Sequence, residues 1–471
     1  MARSDIRYDV AGAMAAAVGQ ADGLTGGEWS LLAKETAGIV GRLNEARARA
    51  PYRDLPYKEA LSERERIKQS AAAKAGRFDD LVVLGIGGSA LGLTALKTAL
   101  CKPFWNALPA HRRDNRPRLW VMDNVDPAEC EAMLNIVDHD RTLFNVISKS
   151  GSTAETMAQF LIVVELLQEC LGDKWKDHVV VTTDAKAGLL RPLARAAHLE
   201  SFVVPDGVGG RFSVLSPVGL FGAAMVGINV DGLLAGAAAM DKRCSETAFE
   251  KNPAAQGAAV QIGLYRKAKP MSVMMPYSAA LRDVADWHRQ LWAESLGKKS
   301  KDGTAVGPTP IKALGVTDQH SQVQLYREGP NDKVFTILEV EDFSADVRIP
   351  DPPKGLKGIA YLAKKSLAEL YHAEQRGTEW ALRLSKRPTA KIVLSQISAE
   401  AVGALLYLLE VQTSIAGEML GIDTYNQPGV EAGKEATRAL MGMTGPLDPA
   451  KGGLPADLKT YDALKKRIEQ P

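Results

Sequence analysis

Between about residues 80 and 205 the chain repeats one pattern, and that pattern limits its folding more than any other feature: short apolar runs separated by segments of helical length. The runs are LVVLG (81–85), RLWVMDN (118–124), LFNVIS (143–148), HVVVTTD (178–184) and SFVVPDG (201–207). They are apolar nearly throughout instead of alternating, as expected of parallel strands covered on both faces. Stretches such as TAETMAQFLIVVELLQECLG lie between them. Strand and helix in alternation predict a doubly wound α/β domain.

A second, less regular α/β region is expected further on. MSVMMPYS (271–278), KVFTILEVE (333–341) and AKIVLSQ (390–396) read as strands, and SAEAVGALLYLLEVQTSIAGEML (398–420) as a long helix with a serine available as N-cap. The first 70 residues read as mostly helical and the tail after 434 as helix and loop. A length of 471 residues fits two or three domains.

The run LVVLG opens onto Gly85-Ile86-Gly87-Gly88-Ser89-Ala90. This satisfies G-x-G-x-x-[GA], the loose dinucleotide fingerprint, with Asp123 ending the next strand. A lone match of that kind is weak, and a tight turn without ligand explains it as well. No G-K-[ST] follows, so the loop is not a nucleoside-triphosphate loop. The loop after the third strand is more informative. Ser148-Lys149-Ser150-Gly151-Ser152-Thr153 precedes a helix, placing four hydroxyls, a glycine and a lysine at its N-terminus. Backbone N–H groups and the helix dipole there favour an anion, and hydroxyls add donors. A helix cap needs one hydroxyl; four favour a ligand. A dinucleotide has no use for this second loop, whereas a phosphate ester of a sugar does.

Global charge does not supply the attraction. The formal net charge is +2, so no overall field favours nucleic acid or a membrane surface, and an anionic small substrate needs local positive charge. The four cysteines, Cys101, Cys130, Cys170 and Cys244, form no C-x-x-C pair and point to reduced thiols in the cytoplasm. The N-terminal stretch does not read as a secretory signal, and no run reaches 18 uninterrupted apolar residues, so no membrane span is expected.

Longer signatures narrow the substrate. Asp206-Gly-Val-Gly209-Gly210-Arg211-Phe212-Ser213 with VLSPVGL, and GEMLGIDTYNQPGVEAGK (417–434), resemble the two signatures of the glucose-6-phosphate isomerase family. Between them, Gln290-Leu-Trp-Ala-Glu294-Ser295-Leu-Gly297-Lys298 and GPTPIKALGVTDQHSQVQLYREGP also resemble family segments. The matches run in family order from Gly85 to Lys434 and look like the shorter bacterial form, with departures at Gly151 and Ser152.

The resemblance implies two doubly wound sugar-isomerase (α/β/α) domains with helical N- and C-terminal extensions. They are placed at 71–225 and 226–430, with extensions 1–70 and 431–471. It implies reversible interconversion of D-glucose 6-phosphate and D-fructose 6-phosphate, in glycolysis and gluconeogenesis, without cofactor or metal, by a homodimer. Moving a proton between C2 and C1 of an open-chain sugar needs a base and a group that steadies the enediolate. By resemblance the base is Glu294, which as a bare helical glutamate reads as surface. Arg211, aimed by the two glycines before it, offers fixed positive charge to the enediolate oxygen. His320 and Lys434 are implied in ring opening; as one of seven histidines, His320 carries no signal of its own. Ser148, Ser150 and Thr153 are expected to hold the phosphate with Lys149 lending charge, Gly88 and Ser89 to line the sugar, Gln427 to hold a hydroxyl, and Gln290 to belong to the substrate-binding set.

Two other readings compete. A nicotinamide-dependent enzyme leaves SKSGST unexplained. A non-catalytic sugar-phosphate sensor needs the loops but not Glu294, Arg211 and His320 together.

Overall fold

The computed structural model describes residues 6–57, 60–450 and 453–470; parts of both expected extensions (1–5, 58–59, 451–452 and 471) lie outside the described residues. The strands are β1 (Ile6–Asp9), β2 (Asp80–Leu84), β3 (Arg118–Met122), β4 (Thr142–Ile147), β5 (Val179–Thr183), β6 (Glu200–Val203), β7 (Met271–Pro276), β8 (Lys298–Lys299), β9 (Ala305–Val306), β10 (Thr309–Lys312), β11 (Lys333–Asp342) and β12 (Thr389–Gln396).

The five apolar runs of the first half form one sheet in the order β3-β2-β4-β5-β6, parallel throughout. Every residue of β2, β4 and β5 is buried, which is why these strands are apolar on both faces. The chain leaves β2 toward one edge and returns on its other side as β4. In open α/β sheets the crevice at such a reversal, outside the carboxyl ends of the strands, is where ligands bind. The loops leaving β2 and β4 are the glycine loop and the serine-rich loop.

The second sheet has the order β1-β12-β11-β7-β10. Its three foreseen strands, β7, β11 and β12, are parallel neighbours at the centre. Both edges were unforeseen. β1 pairs antiparallel with β12, so the N-terminal region is not purely helical but supplies a strand. β10, sequence TPIK, is only partly covered and contains Pro310, which an edge strand tolerates. Neither edge carries the apolar run that marked the central strands.

One continuous set of buried apolar side chains joins the sheets, running from Leu81 and Val83 through Leu405 and Leu408 to Leu338 and Ile392. The middle members belong to the helix Ala399–Met419, whose N-cap Ser398 accepts from the Ala401 N–H at 3.1 Å. That helix is long and apolar enough to cross a membrane, and 89% of its apolar stretch is buried inside the protein.

Candidate active site

The glycine loop folds into a single 3-10 turn, Gly87–Ser89, before the helix Leu91–Leu100. Gly87 has φ of +58°, and a Cβ there would lie 2.9 Å from Gln290 Nε2. Gly88 is required for a different reason. A Cβ at Gly88 would lie 2.2 Å from the Gly210 carbonyl carbon and 2.7 Å from the Arg211 nitrogen. The loop is therefore pressed against the segment that carries Arg211.

Arg211 is buried, and all five of its N–H groups are engaged. Nε donates to Ser295 Oγ at 2.8 Å; Nη1 donates to Glu294 Oε2 at 3.2 Å and to Gln427 Oε1 at 2.9 Å. Nη2 donates to the carbonyls of Thr424 at 2.7 Å and Asn426 at 3.0 Å. Burial pulls its pKa below the usual arginine value while Glu294 acts in the opposite sense; a guanidinium nevertheless keeps its proton. One carboxylate and four neutral acceptors thus fix a desolvated cation.

Gln290 and Glu294 stand one turn apart on the helix Arg282–Leu296. Gln290 Nε2 donates to Glu294 Oε1 at 3.0 Å, so each carboxylate oxygen has one donor. The Glu294 side chain keeps 33% exposure where Arg211 keeps 2%, so the glutamate stays partly open while its partner is enclosed. Gln290 Oε1 is buried and has no hydrogen-bond partner among the described residues. It is a free acceptor beside the glycine loop.

In the serine-rich loop, Thr153 is the N-cap of the helix Ala154–Leu171 but makes no side-chain cap bond. Its hydroxyl shares a 3.0 Å hydrogen bond with Ser148 Oγ instead, leaving the first-turn N–H groups without a side-chain cap. Ser150 Oγ accepts from Ser152 N at 3.3 Å. Lys149 does not stand free, since its Nζ donates to the Val208 carbonyl at 2.8 Å and ties this loop to the Arg211 segment. Ser89, Ser150 and Thr153 retain solvent access and Ser148 is buried.

Two expected participants are not joined to this cluster within the chain. His320 follows the short turn Thr317–Gln319, exposed, and its ring has no hydrogen-bond partner among the described residues. Lys434, on the helix Glu431–Leu440, is exposed and pairs with Glu431 Oε1 at 2.8 Å. Sequence reasoning missed the Ser295 hydroxyl and the carbonyls of Thr424 and Asn426 as the groups that fix Arg211. Ser295 had a signal, its place beside Glu294. The carbonyls had none, because any residue type supplies one. An aromatic group was also missed: Phe212 stacks on Tyr52 at 4.7 Å and leans on Tyr425 at 5.6 Å, and both tyrosine hydroxyls reach Ser414.

The pattern that defines the family described as phosphoglucose isomerase matches residues 59–347 and 368–444, which include both loops, Arg211, Glu294, His320 and Lys434. The chain belongs to this family. It is 44% identical over 418 residues to the glucose-6-phosphate isomerase of Carboxydothermus hydrogenoformans, covering 88% of this chain and 89% of the relative. Identity to that of Rubrobacter xylanophilus is also 44%, over 428 residues, 90% of this chain and 96% of the relative. Among solved structures, a hypothetical protein from Thermus thermophilus superposes with a TM-score of 0.82 at 35% identity, over 93% of this chain and 100% of that one. A glucose-6-phosphate isomerase from Chlamydia trachomatis shares the fold, with a TM-score of 0.69 at 24% identity, over 82% of this chain and 75% of that one.

Proposed function

We propose that the chain interconverts D-glucose 6-phosphate and D-fructose 6-phosphate, with Glu294 as the base that shuttles the proton between C2 and C1. The observation that carries this reading is the buried Arg211 holding one oxygen of a part-exposed Glu294 while Gln290 holds the other. In the open-chain aldose the C2 proton passes to the carboxylate, and its electron pair forms the C1=C2 bond of an enediolate. The proton then returns to C1, the hydroxyl proton moves from O2 to O1, and C2 becomes the carbonyl. Arg211 offsets the charge that develops on oxygen, and being fixed by five acceptors it needs no reorganisation to do so.

The phosphate is assigned to Ser148, Ser150, Thr153 and the uncapped first turn of the helix Ala154–Leu171, with Lys149 adding charge. Gly88 and Ser89 line the sugar, and the free acceptor of Gln290 and the amide of Gln427 take hydroxyls. Ring opening is assigned to Lys434 and to His320 of a second copy, which requires a homodimer. The division into units at 71–225 and 226–430 puts the phosphate loops in one and Glu294 in the other. A cytoplasmic setting agrees with four free thiols.

The test is a coupled assay that follows fructose 6-phosphate to glucose 6-phosphate. Glu294→Gln should lose about 10² to 10⁴ in kcat while still binding the sugar phosphate. A variant that keeps most of its kcat removes Glu294 from the role of base.

A further inference from the structure

One half-buried cation beside the site has no part in the reaction as described. Lys298 opens β8, immediately after the helix Arg282–Leu296 ends. Its Nζ donates to the Glu294 carbonyl at 3.0 Å and to the Ser295 carbonyl at 2.7 Å. Both are carbonyls of the last helical turn, where intrahelical donors run out and positive charge is favoured. They are also the main-chain groups of the two residues whose side chains meet Arg211. The Lys298 backbone is held in turn by the pairing of β8 with β9, opposite Val306.

We propose that Lys298 is a positioning residue for the proton transfer: its ammonium clamps the final turn of the helix so that Glu294 and Ser295 stay aimed at Arg211. The proposal rests on the reading of Glu294 as base. The charged groups that face the ammonium are Arg211, Asp423 and Glu294. Burial, followed by the charge of Arg211, pushes the Lys298 pKa down to about 8. The clamp is therefore charged well below that pH and weakens as pH rises through it, because charge-assisted bonds are the stronger kind. A lysine on the surface would keep its charge for two further pH units or so.

The experiment measures kcat and KM between about pH 6.5 and 9.5 for wild type, Lys298→Met and Lys298→Arg. It adds melting temperatures and the Kd for sorbitol 6-phosphate, which has no carbonyl and cannot isomerise. Lys298→Met should lose about 10- to 100-fold in kcat, with the Kd changed by less than about threefold, since it is aim and not binding that is lost. Lys298→Arg should recover much of that kcat near pH 7.5 and carry the alkaline decline upward by about one pH unit or more, because arginine does not titrate there. The proposal is overturned if Lys298→Met keeps kcat within about twofold of wild type. It is also overturned if kcat and binding fall together with the melting temperature, or if the alkaline decline of Lys298→Arg stays where wild type has it. A wild type inert toward both sugar phosphates removes the isomerase reading, and the clamp with it. An active wild type with unaffected variants overturns the clamp alone.

Discussion

Replacing Gly88 by alanine should disable the site chiefly through packing, by forcing the glycine loop away from the backbone that carries Arg211. The added Cβ would sit 2.2 Å from the Gly210 carbonyl carbon, 2.3 Å from its oxygen and 2.7 Å from Arg211 N. These are backbone atoms and cannot rotate away. Restoring ordinary contact at about 3.5 Å requires the two segments to part by more than about 1 Å. Arg211 is the next residue, and its five bonds converge from Glu294, Ser295, Gln427 and the 424–426 backbone, so its side chain cannot follow that movement intact. A misplacement of about 1 Å in a reacting constellation costs about 100-fold in rate, and overpacking of this kind about 1–3 kcal/mol in stability. The control is Gly210→Ala across the same contact, where the new Cβ meets Gly88 Cα at an ordinary 3.7 Å. The coupled assay should find Gly210→Ala within about threefold of wild type and Gly88→Ala about 100-fold down, with a lower melting temperature. Equal kcat values for the two variants would refute the close-packing account of the glycine loop.

Ser148→Ala combined with Thr153→Ala should raise KM for both sugar phosphates and weaken inhibition by inorganic phosphate, because these hydroxyls bond each other above an uncapped helix end; unchanged values for both would leave the loop without a phosphate role. Co-refolding Glu294→Gln with His320→Ala should return about a quarter of wild-type activity if His320 serves a partner's site, since half the dimers are hybrids with one intact site. No recovery with hybrids demonstrably formed rules out the shared site. Acid should destabilise the fold through His288, buried against Trp292 with its pKa pushed down to about 3 by burial. The unfolded chain takes up a proton below about pH 6.5 that the native ring refuses, so stability falls as pH drops, by about 2 kcal/mol at pH 5. Urea unfolding of His288→Phe at neutral pH and near pH 5 should show that much less acid loss than wild type; equal losses would assign the sensitivity elsewhere.

What the sequence settled by itself was whatever depends on neighbours along the chain. The apolar runs that became β2, β4, β5, β7, β11 and β12 are legible because burial on both faces imposes a composition that no turn or surface helix shares. The partly covered edges β3 and β6 are legible from their apolar residues and their place in the strand–helix alternation. Ser398 marks the start of its helix because a cap acts over three residues. The spacing of Gln290 and Glu294 already places them on one helix face. Family signatures extended that legibility to Arg211 and the loops.

Only the tertiary structure decided what surrounds those residues. The acceptors of Arg211 lie between 83 and 216 positions away in sequence, and two are main-chain carbonyls that carry no residue signature. That Gly88 lies hard against Gly210, and that the Lys149 ammonium is tied to the Val208 carbonyl, no sequence pattern announces. β1 and β10 were invisible because an edge strand is half exposed and needs no apolar run. Local periodicity records which side of an element is buried. Which distant backbone closes over it is set by the packing of both sheets and their helices into one core, and no local pattern encodes that.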